Sequence, residues 1–169
     1  MNWGRHVGAV CGILLGTWLL KAAPTADSAL AALKAYDGSW RVTRSDSSKP
    51  EALKNQCQTI GKFYACQQTV DGTVTALLVF VPLSQPGHYA TQSVNPDGRA
   101  LGRGELQISG NQWVLTSMWN QGSGRDTYYK TTNVFNGHDH IHFEQQESTN
   151  GKDWSTKASG DYTRVAVAR

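Results

Sequence analysis

Residues 57–66 have the sequence Cys-Gln-Thr-Ile-Gly-Lys-Phe-Tyr-Ala-Cys, in which the two cysteines stand symmetrically about Gly61 and Lys62. Glycine at the first central position suits a two-residue type II′ turn, which joins two antiparallel strands. Pairing outward from this turn places Cys57 opposite Cys66 in a non-hydrogen-bonded pair, with Cα atoms about 4.5 Å apart. A disulfide closes at that separation. The stretch therefore predicts a β-hairpin joined by a Cys57–Cys66 disulfide.

We interpret this disulfide as structural. A small closed loop gives a stabilisation of about 2 to 3 kcal/mol at most, and oxidised cysteines are typical of exported proteins. A reactive or metal-binding cysteine would have a basic neighbour or a histidine at ligand spacing. The cysteines at 57 and 66 have neither.

On both sides of the hairpin, strand-forming segments alternate with turn formers such as Asp71-Gly72, Gly122-Ser123-Gly124 and Asn136-Gly137. One short helix, residues 28–36, precedes the strands and ends at Asp37-Gly38. The predicted strands cover residues 39–44, 53–60, 63–70, 73–82, 87–95, 99–108, 111–120, 125–135, 140–148 and 154–167.

The connections decide how these strands pair. Nearly every connection is short, and short connections join antiparallel neighbours only. Ten such strands would leave long unpaired edges unless the sheet closed on itself. We therefore predict an all-β fold, an antiparallel up-and-down β-barrel of about ten strands with a short N-terminal helix. A two-sheet sandwich is the alternative, with Arg44–Ala52 as its longer crossover.

Two short motifs mark the ends of the predicted barrel, Asp37-Gly38-Ser39-Trp40 just after the short helix and Tyr162-Thr163-Arg164 near the C-terminus. Gly-x-Trp on the first strand with a basic residue on the last resembles the closure of the lipocalin-like (calycin) barrels. The resemblance implies that Arg164 lies across the Trp40 indole, a contact worth about 0.5 to 2 kcal/mol. Trp40 and Arg164 are then the barrel-closure residues.

Within this superfamily, the chain from about residue 30 to residue 167 resembles a family of exported bacterial barrel domains with no assigned function. Ten predicted strands depart from the eight of a typical lipocalin, which also brings fatty-acid-binding-like barrels into the comparison. The resemblance implies the fold and leaves the ligand open.

The first 28 residues are typical of a secretory signal peptide. Arg5 and His6 precede an apolar stretch, Val7–Leu20, and small residues follow it. The stretch is shorter than the roughly 20 residues that a membrane-spanning helix needs, and no later stretch is apolar enough to span. We predict cleavage after Ser28, a barrel domain over residues 29–169, no membrane span in the mature chain, and an exported protein in the periplasm or outside the cell.

Composition excludes several classes of function. The chain of 169 residues has the length of one domain, and its net charge of +3 comes from lysines and arginines scattered singly, so nucleic acid is not a predicted partner. The sequence has no Gly-x-Ser-x-Gly elbow, no His-Glu-x-x-His and no Walker loop. These absences favour a non-catalytic protein, and no cofactor is predicted. The sequence does not determine the oligomeric state.

The predicted barrel suggests a binding function, because eight or more strands can enclose a small ligand. Alternate residues of a strand share one face. If those faces point inward, the barrel binds a small, mostly apolar molecule. The candidate lining residues on three successive strands are Trp113, Leu115 and Trp119, then Tyr129 and Phe135, then Phe143.

Two other interpretations remain open. In the first, the same residues fill the barrel as a packed core, and the protein is an interaction or scaffold domain with an exposed aromatic patch, for which Trp119 and Trp154 are candidates. In the second, His140 and His142, alternate residues of one strand, hold a metal ion or haem. Histidines on the outer face, opposite Ile141 and Phe143, are the simpler interpretation of this strand.

Overall fold

The computed structural model describes residues 26–120 and 126–166. A helix, α1 (Ala26–Ala31), continues into a 3₁₀ helix (Ala32–Tyr36) and is followed by ten strands. The strands are β1 Gly38–Arg44, β2 Ser47–Ile60, β3 Phe63–Val70, β4 Thr73–Pro82, β5 His88–Val94, β6 Ala100–Ser109, β7 Gln112–Asn120, β8 Asp126–Asn136, β9 His140–Ser148 and β10 Ser155–Arg164.

The ten strands form one closed antiparallel barrel, in which each strand pairs with its neighbours in sequence and β1 pairs with β10. The predicted fold class is confirmed. Two predicted segments fall on residues that the structure does not describe. One is the turn at Gly122-Ser123-Gly124, and the other is the signal peptide, of which only residues 26–28 are described, as the start of α1. No helix in the described part of the chain is long and apolar enough to cross a membrane.

Strand β2 differs most from the sequence prediction, because it begins at Ser47 rather than at residue 53. The crossover proposed for Arg44–Ala52 in the sandwich alternative is therefore wrong. A two-residue turn replaces it, and Arg44 Nε and Nη2 donate hydrogen bonds of 2.8 and 2.9 Å to the Asp46 carboxylate. Pro50 fits within the strand because the β1–β2 register shifts there, and proline is tolerated at such irregularities.

The hairpin at residues 57–66 forms as predicted. Ile60 pairs with Phe63, Cys57 pairs with Cys66, and these cysteines form a disulfide with their Cα atoms 4.0 Å apart. Gly61 has a φ of 57°, the positive value that the first central position of a type II′ turn requires. Cys66 is fully buried, so the disulfide lies on the inner face of the barrel.

The N-terminal helical segment closes one end of the barrel. Leu30 and Leu33 are fully buried there, and the hydroxyl of Tyr89 donates a hydrogen bond to the carbonyl of Ala29. The Tyr36 ring inserts between strands, with its centroid 6.5 Å from that of Phe80 and 6.2 Å from that of Trp113. A tyrosine from outside the sheet thus becomes part of the barrel interior.

Candidate binding cavity

The barrel contains two adjoining hollows above the helical plug. The central one has a volume of about 260 Å³ and extends from Tyr36 to Gln145. The second, of about 380 Å³, lies towards the opposite end, beside Trp119 and Tyr129. Thr131 and Gln145 line both hollows, which makes them parts of one internal space.

The wall of the central hollow is mixed rather than mostly apolar. Val42, Leu53 and Leu115 contribute apolar surface, while Arg44, Glu51, Gln68, Asn133 and Tyr162 bring polar groups to the same space. The sequence interpretation considered inward faces on β7 to β9 only, whereas several of these polar groups come from β1, β2, β3 and β10. The expectation of a mostly apolar pocket is therefore replaced by an amphipathic one.

Asn133 is the most unusual polar group of this wall. It is 7% exposed, and its Oδ1 accepts no hydrogen bond from any other group in the described part of the chain. Its neighbours on the adjacent strands are Trp113 and Phe143, so apolar rings flank the amide. Leaving a buried acceptor unpaired costs about 1 to 3 kcal/mol. The fold retains this cost at the wall of its cavity.

Two tyrosines, Tyr36 and Tyr162, line the central hollow together with Asn133. Tyr162 stacks on Phe143 with ring centroids 4.9 Å apart, and burial, together with the nearby Tyr36 hydroxyl, raises the pKa of Tyr162. Burial raises the pKa of Tyr36 as well. Both phenols therefore stay protonated and act as neutral hydrogen-bonding groups.

The charged side chains of the cavity are largely paired. Arg44 makes its two short hydrogen bonds to Asp46, which raise the pKa of Arg44, and its Nη2 lies 3.5 Å from Gln145 Oε1. In the second hollow, Lys157 Nζ lies 3.8 Å from a carboxylate oxygen of Glu147. Within residues 26–120 and 126–166, Glu51 takes part in no ion pair.

Trp119 is placed at the second hollow by a glycine. A Cβ atom at Gly102 would collide with the Trp119 indole, so only glycine leaves room for this ring position. The indole meets Tyr129 edge to face, with centroids 5.7 Å apart. Gly104 and Gly160 have a different role, because a Cβ at either would collide with the backbone of the adjacent strand, as expected where strands bend sharply.

The six predicted lining residues divide into two groups. Leu115, Trp119 and Tyr129 line the hollows. Trp113, Phe135 and Phe143 are buried in the core near the helical plug, and the rings of Trp113 and Phe135 are 4.5 Å apart. The barrel is therefore packed at one end and hollow at the other. The sequence interpretation missed Tyr36, Arg44, Asn133 and Tyr162.

The histidines of β9 lie outside the barrel. His140 Nε2 and His142 Nδ1 lie 3.2 and 3.0 Å from the same oxygen of Asp161 on the exposed face of the sheet. Neither ring can reach a molecule in the barrel, so the haem alternative fails on geometry. No group of three His, Cys, Asp or Glu side chains in the described part of the chain is arranged to hold a metal ion.

The predicted aromatic surface patch does not form. Trp119 lies in the cavity, and the Trp154 ring is covered by Lys130, whose Nζ is 4.5 Å from its centroid. The exposed apolar side chains on the outer face are instead aliphatic, among them Ile60, Leu77 and Val81. Ile60 and Leu77 border an open concave surface of about 960 Å³ outside the barrel.

The structure is thus a closed ten-stranded barrel with an internal space. No protein-family model matches the sequence, and no curated protein matches it. The structure of Rv2717c from M. tuberculosis is similar, with 18% sequence identity, a TM-score of 0.51, and coverage of 82% of this chain and 98% of that chain. At this identity the similarity shows the barrel fold alone.

The structure of EF1p2_mFAP2b bound to DFHBI also aligns, over 79% of this chain and 97% of that one. Its sequence identity is 12% and its TM-score 0.36, a likeness too low to support an argument about this protein. Independently of both comparisons, the Cys57–Cys66 disulfide is typical of proteins in an oxidising, non-cytoplasmic compartment.

Proposed function

We propose that the protein binds a small molecule inside its barrel. The observation that carries this proposal is the internal space itself, which extends from Tyr36 at the helical plug to Trp119 near the other end. Small-molecule sites are concave, have volumes of roughly 300 to 1,000 Å³, and combine apolar walls with a few convergent polar groups. The two adjoining hollows have this composition, which favours an amphipathic ligand.

Thr131 offers the sharpest test, because it lines both hollows. Its neighbour Thr132 points to the outer face, since successive side chains of a strand alternate. Thr131→Phe should fill the shared space, whereas Thr132→Phe adds the same ring outside. The readout is native mass spectrometry of protein purified from its natural compartment, before and after denaturation.

We expect the wild type and Thr132→Phe to carry a mass excess that denaturation removes, and Thr131→Phe to lack it. As a second readout, the neutral dye N-phenyl-1-naphthylamine should bind Thr131→Phe at least about ten-fold more weakly than Thr132→Phe, the equivalent of about 1.4 kcal/mol. Leu77→Thr removes apolar surface from the exposed outer face of the barrel, and this variant should bind the dye as tightly as the wild type. Equal binding by the two phenylalanine variants would refute an internal site.

We also propose that the chain is exported and that residues 1–28 are removed. The apolar stretch Val7–Leu20 and the disulfide support this proposal. N-terminal sequencing of the mature protein should begin at Ala29, which leaves Leu30 and Leu33 in place as the helical plug. A mature chain that still begins at Met1 would overturn it.

A further inference from the structure

We propose that the molecule held in the barrel presents a hydrogen-bond donor to Asn133 and carries no negative charge. This inference rests on the binding function proposed above and names the ligand class: a small neutral or cationic amphiphile with a ring and a hydroxyl or amino group. Fatty acids and other anions are excluded by the same features.

The acceptor is the first of these features. Asn133 lines the central hollow, and its Oδ1 is buried and receives no hydrogen bond from the described residues. The flanking side chains, Trp113 and Phe143, are buried, and neither donates a hydrogen bond to the amide oxygen. A ligand donor that reaches this depth completes the hydrogen bonding of the wall, and a site built in this way rejects analogues without the donor.

The charges of the wall give the second feature. An anion entering the cavity would require a free cation. Arg44 is not free, because it donates two hydrogen bonds to the Asp46 carboxylate, and Lys157 lies beside Glu147. Glu51 remains as a carboxylate without an ion-pair partner in the described part of the chain. The lining is therefore electrostatically unfavourable for a second carboxylate and favourable for a donor or a cation.

The aromatic residues give the third feature. Trp119 and Tyr129 stand edge to face beside the second hollow, and Leu115 lines the adjoining central one. These surfaces suit the flat apolar body of a ring, whose polar end then points towards Asn133. Aromatic rings prefer offset-stacked or edge-to-face contacts of this kind.

Three matched probes separate these requirements: 2-naphthol, which has a donor; 2-methoxynaphthalene, which has the same ring without the donor; and 2-naphthoate, which is an anion. Isothermal titration calorimetry of the full chain measures each dissociation constant. We expect 2-naphthol to bind about ten-fold more tightly than 2-methoxynaphthalene, as one hydrogen bond allows, and 2-naphthoate to bind most weakly.

The variant Asn133→Leu should bind 2-naphthol and 2-methoxynaphthalene equally, because the acceptor has gone while the hollow remains. Thr132→Leu, on the outer face of the same strand, should keep the ten-fold preference of about 1.4 kcal/mol. Equal binding of the two neutral probes by the wild type overturns this inference and leaves the binding function standing. Tightest binding by 2-naphthoate also overturns it. If none of the three probes binds, both the inference and the proposed function fail.

Discussion

The guanidinium carbon of Arg164 lies 4.1 Å from the ring centroid of Trp40, and the two residues are direct partners where β1 meets β10. The same guanidinium donates hydrogen bonds to the backbone carbonyls of Ala35, Asp37 and His138. A Cβ at Gly38 would lie 2.5 Å from Arg164 Nη1, so the glycine of the Gly-x-Trp motif makes room for the arginine. One side chain thus connects both ends of the sheet to the helical plug.

Arg164→Lys should therefore lower the free energy of unfolding by about 2 to 4 kcal/mol, because an ammonium group cannot reproduce the planar set of donors. Guanidinium chloride unfolding followed by tryptophan fluorescence measures the change. Arg41→Lys, at an exposed position of β1, is the control and should stay within about 0.5 kcal/mol of the wild type. A loss below about 1 kcal/mol in Arg164→Lys would contradict the closing role.

Removal of the disulfide tests the hairpin. The double variant Cys57→Ala/Cys66→Ala should be less stable than the oxidised protein by about 2 to 3 kcal/mol, because a short loop is no longer closed in the unfolded chain. Thermal unfolding with and without a reducing agent measures the difference. The reducing agent should lower the melting temperature of the wild type and leave that of the double variant unchanged. A wild type that is indifferent to reduction would show that the bond contributes nothing.

Gly102→Ala should displace the Trp119 indole, since the added methyl group occupies the position of the ring. We expect a shifted tryptophan emission spectrum and weaker dye binding in the cavity. In Trp119→Phe the ring is smaller, so adding Gly102→Ala to that variant should have less effect than in the wild type. A double-mutant cycle of stability measures this coupling at about 0.5 to 3 kcal/mol. Simple additivity would mean that the two residues do not contact each other.

Alkaline pH tests the buried phenol of Tyr162. Burial raises its pKa above the usual 10.0, so the folded state favours the neutral form. That contribution to stability is complete below the unfolded-state pKa and is lost as the pH rises through the folded-state pKa. Between about pH 9 and about pH 11, Tyr162→Phe should lose less stability than the wild type. Tyr128→Phe, on the outer face of β8, should follow the wild type, and identical slopes for all three proteins would refute the prediction.

Most strand positions could be predicted because their signals are local. A glycine at position 61 and the pair Asp71-Gly72, all with positive φ, fix their turns without reference to the rest of the fold. The sequence alone does not place Pro50 inside a strand, because proline lacks a backbone donor. Only the structure shows that this proline stands where the β1–β2 register shifts.

The cavity was less predictable, because it depends on what meets inside the barrel. Leu115, Trp119 and Tyr129 follow from the alternation along β7 and β8. Asn133 lies on the same face of its strand as Tyr129 and Thr131. A polar residue in this inward-facing series is the sequence signal that could have predicted its place in the cavity wall. Tyr36 gave no such signal, since it belongs to a helical segment whose docking into the barrel is a tertiary event.

The pairing of β1 with β10 also determines when this protein can complete its fold during synthesis. Arg164 Nη2 reaches the carbonyl of Ala35 across 129 residues of chain, and such distant contacts form slowly. When only nine strands of a nascent chain have emerged, β10 is still missing. One edge of β1 and one edge of β9 therefore have unpaired backbone groups. Molecular chaperones that shield those strands would matter most until β10 emerges.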